Sequence, residues 1–369
     1  MKSRNTSSNF YAVILAGGRG TRFWPRSRRR HPKQLMNFGE NKSLLRQTFE
    51  RLVPLIPPRN VWVFTNESLA RAIVRELPEV PRSQIIAEPV QRNTAPCAGL
   101  AAELILARNP EAILGVFPSD HAVLKPVAFR RVVKLAAQHA SDGKIVVLGI
   151  QPRWPETGYG YMEFAKPPAI DPPLAIAVKR FREKPILAVA KRYLRAKKYF
   201  WNSGMFFWKA SVIRDALRRF LPQTAAVLSS IGDHIAAGKA NSPARFARIL
   251  SEFYPLCQNI SVDYAVLEKV SNVVGIPCDF GWNDLGSWQA VYDLLPHDGN
   301  HNVLRSEGLL LESSGLYLDV PGKVVGAVGL KDLVIVETDD ALLIVPRSRA
   351  QDVSRLVAQL EKSGRDNLL

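Results

Sequence analysis

Cysteine is scarce in this chain. The three residues Cys97, Cys257 and Cys278 are odd in number and far apart among 369 positions. That argues against a disulfide framework and offers no zinc-ligand spacing. Long apolar runs are missing as well. No stretch approaches the roughly 20 residues that a membrane-spanning helix needs. The apolar segment from Phe10 to Ala16 is too short for the core of a secretion signal and runs straight into Gly17-Gly18. The expectation is a cytosolic protein with no membrane partner. A basic tail and a basic strand interleaved with aromatics are also lacking, so a dedicated nucleic-acid role is disfavoured despite a net charge of +17.

Much of that positive charge has one address. Arg19, Arg22, Arg26, Arg28, Arg29, Arg30 and Lys33 crowd a single stretch after a glycine-rich turn. A chain that is 47% hydrophobic and 22% charged is ordinary for a globular protein. Its length exceeds what one core usually holds, which predicts two domains.

Residues 1–9 are polar and aperiodic and read as a frayed tail. Apolar runs then alternate with helical patterns. Strands are predicted at 11–16, 61–65, 113–117 and 144–150, and helices at 43–52, 67–76, 94–108 and 129–139. This rhythm predicts an α/β, Rossmann-like domain with a mostly parallel sheet and helices on both faces. Further strands (161–164, 175–181, 205–207) and helices (186–194, 212–220) extend it to about residue 296. After a polar linker, short apolar segments at 309–311, 316–318, 324–328, 333–336 and 342–345 predict a small β-rich unit of stacked coils over 303–369. An amphipathic helix over 350–360 closes it.

In open parallel sheets ligands bind at the carboxyl ends of strands. Ala16-Gly17-Gly18-Arg19-Gly20-Thr21-Arg22 follows the first predicted strand. Its glycines permit positive φ and close approach of a ligand, and successive N–H groups can cradle an anion. It is not a P-loop, because the Gly-Lys-Ser/Thr ending is absent. It is not a dinucleotide fingerprint either, because Phe23 stands where a third glycine belongs. Arg22 and Lys33, the latter within Pro32-Lys33-Gln34, supply two cations suited to a triphosphate. Arg26 to Arg30 read as solvated surface charge or long-range steering. Two aspartates also stand where a metal could sit. Asp120 follows the strand at 113–117, and Asp284 lies in a Gly-Trp-Asn-Asp turn. Each reads equally well as a helix N-cap.

A longer series of motifs runs through the same region. It comprises Leu15 to Arg22, Trp24-Pro25, Pro32-Lys33-Gln34, Glu88-Pro89, Arg92 to Pro96, and Pro118-Ser119-Asp120-His121. It continues with Glu156 to Tyr161, Phe181 with Glu183-Lys184-Pro185, Trp201 to Phe206, Ser261 to Val266, and Gly281 to Trp288. In this order the set resembles the sugar-1-phosphate nucleotidylyltransferases, and its Trp-Pro and Pro-Lys-Gln variants are most similar to the mannose-1-phosphate guanylyltransferases. Phe23, where leucine is commoner, and Arg182 before Glu183 are small departures.

The resemblance implies GTP and mannose 1-phosphate as substrates, Mg2+ as cofactor, and GDP-mannose and pyrophosphate as products. A sugar-phosphate oxygen, already ionised, would attack the α-phosphorus directly. No general base is then required, and His121 is read as structural. Arg22 and Lys33 would hold the triphosphate, and Asp120 and Asp284 the metal. Ala16, Gly17, Gly18, Gly20, Thr21 and Ser119 would line the nucleotide. Glu88 would accept the N1–H and amino protons of guanine, with Asn93 and Thr94 adding polar contacts or capping the helix that starts there. Lys184 would meet the sugar's phosphate, Glu183 and Asn202 its hydroxyls, and Gly158 would let backbone approach it. Without the resemblance these are a surface lysine, a solvated glutamate, a loop asparagine and a turn glycine. A homodimer and the absence of the isomerase domain carried by longer relatives are further expectations. Two other readings stand beside this one: a transferase of glucose 1-phosphate using UTP or dTTP, and a binding paralogue without catalysis, although none of Arg22, Lys33, Asp120 or Asp284 is lost.

Overall fold

The computed structural model describes residues 9–39 and 41–369. Residues 1–8 of the expected tail lie outside the described residues, while Asn9 is tied down, its carbonyl accepting from Ile113 N at 2.8 Å. In chain order the strands are β1 (Phe10–Leu15), β2 (Val61–Asn66), β3 (Ile85–Glu88), β4 (Ile113–Pro118), β5 (Ala122–Val123), β6 (Ile145–Ile150), β7 (Tyr161–Glu163), β8 (Ile176–Ala177), β9 (Arg180–Arg182), β10 (Tyr199–Lys209), β11 (Val273–Cys278), β12 (Trp282–Asn283), β13 (Val303–Leu304), β14 (Gly308–Leu311), β15 (Tyr317–Asp319), β16 (Val325–Val328), β17 (Leu333–Thr338) and β18 (Ala341–Pro346). The helices are α1 (Leu44–Leu52), α2 (Glu67–Glu76), α3 (Thr94–Leu106), α4 (Pro126–Ser141), α5 (Leu187–Ala196), α6 (Ala210–Phe220), α7 (Pro222–Ala236), α8 (Pro243–Phe253), α9 (Trp288–Leu294) and α10 (Val353–Lys362). Among the described residues no helix is long and apolar enough to cross a membrane.

The chain divides into two compact units whose borders differ from the boundary expected near residue 300. The first runs up to Gly17 and then takes Thr48–Ser119 and Val123–Trp282. The second takes Gly18–Gln47, Asp120–Ala122 and Asn283–Leu369.

The first unit is built on a ten-stranded sheet in the order β3-β2-β1-β4-β10-β6-β11-β8, with β7 and β9 at its side. The four strands from β3 to β4 are parallel, as are β6 and β11. They are nearly uniform runs of buried apolar residues, which is what a sheet covered on both faces demands. β10 separates β4 from β6 and is antiparallel to both. Side chains alternate along it. Phe207 meets Phe117 and Phe10 on one face, where Phe117 also packs edge-on against Phe129 of α4. Phe206 and Trp208 point to the other face, into the core shared with α3, α6 and α7. Alanine-rich α3 is buried nearly all round, and at Gly99 any side chain would strike Leu217 and Leu228.

The second unit contains the coils. β13, β15 and β17 stack in parallel, with Val303, Tyr317 and Val334 in register, and β18 closes the stack as an antiparallel partner of β17. β14 and β16 form a second short parallel ladder. The core of this unit joins Tyr317, Val334, Val336 and Val353 to Phe23, Trp24, Met36 and Phe38. The segment after the glycine turn is therefore an integral part of the C-terminal core.

Several elements depart from the sequence expectation. The strand expected at 205–207 is eleven residues long, because its apolar residues alternate with Asn202 and Gly204 near one end. The single strand expected at 175–181 is two short ones, β8 and β9. β3, β11, α7, α8 and α9 were not anticipated.

Candidate active site

The order 3-2-1-4 places a topological switch between β1 and β4, and this is where open α/β sheets bind ligands. Ser119, buried just past β4, donates its N–H to Leu15 O at 3.1 Å, so both strand ends meet there. Ala16 is also buried, and its main chain is committed to β2: its N–H donates to Phe64 O and its carbonyl accepts from Thr65 Oγ1. The Gly17 carbonyl accepts from Gln91 Nε2, a partner that sequence reasoning missed. Glu88, at the end of β3, is buried and accepts a hydrogen bond from the Tyr254 hydroxyl. Burial pushes its carboxyl up to about 7, against the pull of that hydrogen bond. Asn93 caps α3, its Oδ1 accepting from Thr94 N at 2.9 Å, and Thr94 Oγ1 accepts from Val262 N at 2.9 Å. The capping alternative is present for Asn93, while the Thr94 side chain ties α3 to Val262 instead of capping it.

A second cluster in the same unit gathers around the bulge of β10. The register against β6 shifts between Asn202 and Phe206, and Gly204 has a φ of 71°. Such irregularities re-aim side chains near sites. Asn202 donates from Nδ2 to Asp263 Oδ1 at 2.8 Å and accepts at Oδ1 from Gly204 N at 2.9 Å. Its N–H donates to Gly160 O at 2.8 Å. The Glu183 carboxylate lies so close over Gly160 that a Cβ there would run into it. Lys184 Nζ stands 3.6 Å from Glu183 Oε1 and is largely exposed. Burial and the neighbouring Asp263 push the Glu183 carboxyl up to about 7. Gly158 is exposed, and its N–H is taken by Glu156 at 2.8 Å. Gly160, two residues on, is the glycine inside the cluster.

The second unit holds the cations and the aspartates. Gly20 has a φ of 64°, and any Cβ there would collide with Lys33. Glycine is thus required on both steric counts. Gly18 has open space above it. The turn continues through Thr21 to exposed Arg22, whose Nη1 donates to Gly286 O at 3.4 Å. Lys33 is buried and donates to Asp120 Oδ2 at 2.8 Å and to Asp284 O at 2.6 Å. Burial pushes the Asp120 carboxyl up, but Lys33 and His121 together bring it below its ordinary value. Neither aspartate caps a helix. α4 starts after Lys125 and α9 after Ser287.

The arginines after this turn are not free surface charge. Arg26 makes a two-point pair with Asp319 at 2.5 and 3.1 Å. Arg28 pairs with Asp340 at 2.6 Å and donates to Leu368 O at 2.8 Å. Arg29 meets Asp366 at 2.8 Å and Glu361 at 3.4 Å, and Arg19 also reaches Glu361. Trp24 Nε1 donates to Leu368 O at 2.9 Å. The expectation of solvated charge or steering is corrected for Arg26 and Arg28, whereas Arg29 and its partners are exposed surface charges. Acidic partners from distant C-terminal segments hold them, and sequence proximity alone could not reveal those partners.

Residues 11–300 match the family model described as Nucleotidyl transferase, and residues 306–360 match that of the MannoseP isomerase/GMP-like beta-helix domain. The chain is 38% identical to the xanthan biosynthesis protein XanB of Xanthomonas campestris, over 97% of this chain and 74% of that relative. It is 36% identical to the mannose-1-phosphate guanylyltransferase RfbM of Salmonella typhimurium, over 97% of this chain and 74% of that one. A solved structure described as mannose-1-phosphate geranyltransferase from Thermus thermophilus superposes with a TM-score of 0.83 at 32% identity, covering 96% of this chain and 99% of that chain.

Proposed function

Since the chain belongs to the nucleotidyl transferase family, we propose that it transfers GMP from GTP to α-D-mannose 1-phosphate, giving GDP-mannose and pyrophosphate. The observation that carries this reading is the buried Lys33 ammonium, held by the Asp120 carboxylate and the Asp284 carbonyl. The names of the relatives support the choice of sugar.

A phosphate oxygen of mannose 1-phosphate attacks the α-phosphorus of GTP as the bond to the β-phosphate oxygen breaks, and pyrophosphate carries away the electron pair. The nucleophile is already an anion, so catalysis rests on positioning and charge neutralisation. Arg22 and Lys33 neutralise the triphosphate, with backbone from Gly18 to Thr21 around it. Glu183, Lys184 and Asn202 hold the sugar phosphate.

The family generally uses a divalent metal, and here the metal is Mg2+. Asp120 and Asp284 would hold it: the Asp120 carboxylate already meets one cation, the Lys33 ammonium, which also donates to the Asp284 carbonyl, so residue 284 lies beside the same charge. Among the described residues no group of three or more His, Cys, Asp or Glu could hold a metal. Mg2+ takes one or two carboxylates and completes its shell from phosphate oxygens. When bound, it would offset the charge that builds up on the leaving pyrophosphate.

The base-reading role of Glu88 needs a carboxylate that shares itself between Tyr254 and guanine. Pairing of Arg26, Arg28 and Arg29 with acids supports a protein without a nucleic-acid partner. Exposed Leu309, Leu311 and Val328 on the β14–β16 ladder support a homodimer, which light scattering would check. The three cysteines, free and buried, support a cytosolic setting. The deciding experiment is a panel of four nucleoside triphosphates against mannose, glucose and galactose 1-phosphates, read by pyrophosphate release in Mg2+. Turnover confined to GTP with mannose 1-phosphate is expected. Faster turnover of glucose 1-phosphate with UTP or dTTP would replace this reading, and no turnover with any pair would leave a binding protein.

A further inference from the structure

The segment Ser261-Val262-Asp263-Tyr264 has no part in the reaction as drawn above. Asp263 opens one turn of π-helix over Asp263–Leu267, a geometry that appears mostly at functional sites. Its side chain is only 9% exposed, yet it carries a carboxylate, which is costly to bury without a purpose or a partner. Besides Ser261, it is met by Asn202, through the 2.8 Å bond from Nδ2 to Oδ1.

Counting donors and acceptors shows what this bond does. An asparagine amide has one oxygen and two N–H groups. The oxygen of Asn202 accepts from Gly204 N, and one N–H is spent on Asp263. A backbone N–H can only donate and a carboxylate can only accept, so the opposite rotamer of the amide would face one oxygen with another. The amide is therefore locked in one orientation, with one N–H remaining to offer. Glu183 Oε2 lies over Gly160, whose carbonyl accepts the Asn202 main-chain N–H, and it is buried with no hydrogen-bond partner. A buried acceptor without a donor is an expensive state unless something supplies the donor. A sugar hydroxyl can do both things at once, donating to a carboxylate oxygen and accepting from an N–H.

We infer that Asp263 is a positioning residue of the sugar site: by fixing the Asn202 amide it presents one N–H beside the unpartnered Glu183 oxygen, making a donor–acceptor pair for a single sugar hydroxyl. This rests on the proposed placing of the sugar at Glu183 and Asn202. The negative charge of Asp263 matters as well as its shape. A neutral amide at 263 could donate or accept, and would leave the Asn202 amide oriented by the Gly204 N–H alone.

The test is steady-state kinetics with GTP and mannose 1-phosphate on four proteins: the wild type, Asp263→Asn, Asn202→Ala and the double variant. Asp263→Asn is expected to raise KM for mannose 1-phosphate about tenfold, the worth of roughly one hydrogen bond, while KM for GTP stays within about twofold. Asn202→Ala alone should do the same. Because Asp263 acts through Asn202, the double variant should be no worse than Asn202→Ala. Asp263→Ser, smaller and also neutral, stands in should the amide variant not accumulate. An unchanged sugar KM in the Asp263 variants, while Asn202→Ala raises it, would overturn the inference alone. So would multiplying effects in the double variant or equal losses for both substrates, which mark a merely structural role. An unchanged sugar KM in Asn202→Ala would overturn the placing of the sugar itself, and the inference with it.

Discussion

The two compact units hold polar groups in opposite ways. In the first, carboxylates are buried at the ends and bulge of a sheet. Glu88, Glu183 and Asp263 all have their proton affinity raised, chiefly by loss of water. In the second, cations are fixed by acids around them: Lys33 by Asp120, Arg26 by Asp319, Arg28 by Asp340. The first arrangement suits hydroxyl and base recognition, where an acceptor must wait half-shielded from water. The second suits a triphosphate, where charge must be strong and aimed before the ligand arrives. The lesson is that the sheet supplies rigidity in one unit, whereas the phosphate-facing turn draws it from the C-terminal coils.

The sharpest way to break the comparison is to remove the charges of the second unit. Lys33→Met, Asp120→Asn or Asp284→Asn should each lower kcat by at least about a hundredfold while circular dichroism stays unaltered, the scale of a lost key electrostatic group. Wild-type rates in all three would mean that this cluster is structural. Deleting residues from Asn302 onward comes next. It strips Phe23, Trp24 and Trp288 of Tyr317, Val334 and Val353 and leaves Arg26 and Arg28 without acids. The shortened protein should lose activity as well as solubility, and a soluble shortened chain with full turnover would show that the turn needs no support from the coils.

A middle-sized effect is expected in the first unit, from Glu88→Gln. The Glu88 carboxyl stands at about 7 in the folded protein against an ordinary 4.5. The native state therefore holds its proton longer than the unfolded chain, and stability from this group falls as pH rises from about 4.5 to 7. Glutamine removes that penalty and can still accept from Tyr254. Urea denaturation should find the variant more stable above pH 7, by on the order of 2 kcal/mol, and equal to wild type near pH 4. Equal stability at both pH values would show that the group is well solvated. Smaller still is Arg26→Ala, which breaks a two-point pair whose partner Asp319 is mostly buried. A loss of about 1 kcal/mol is expected, with a few-fold rise in KM for GTP. Least of all is Arg29→Ala, whose pairs are exposed. Its urea midpoint should match wild type within error, and a clear shift would mean that exposed and half-buried arginines brace the turn alike.

What could be read in the sequence follows the range of the interactions involved. β2, α2 and β4 carry dense local patterns, and their expected positions agree with the structure to within a residue. The glycine turn, Lys33 and both aspartates stood out in the sequence through residue type and position, but the closeness of Lys33 to residues 120 and 284 is legible only in the structure. β10 was only glimpsed, since Asn202 and Gly204 interrupt its apolar pattern at the bulge. Asp263 and Gly160 stood in the motifs, but only their meeting with Asn202 and Glu183 gives them a task. The partners of Arg26 and Arg28 lie about 300 positions away (|i−j| of 293 and 312), beyond any reading by periodicity.

β10 also has a consequence for how the chain is made. It is the strand that lies between β4 and β6, and it leaves the ribosome after both. Until Lys209 has emerged, β4 and β6 each keep a side open for it, both apolar ribbons able to pair with a neighbouring chain. A strand running the other way closes those two sides together, and the far side of β6 stays open until β11 follows.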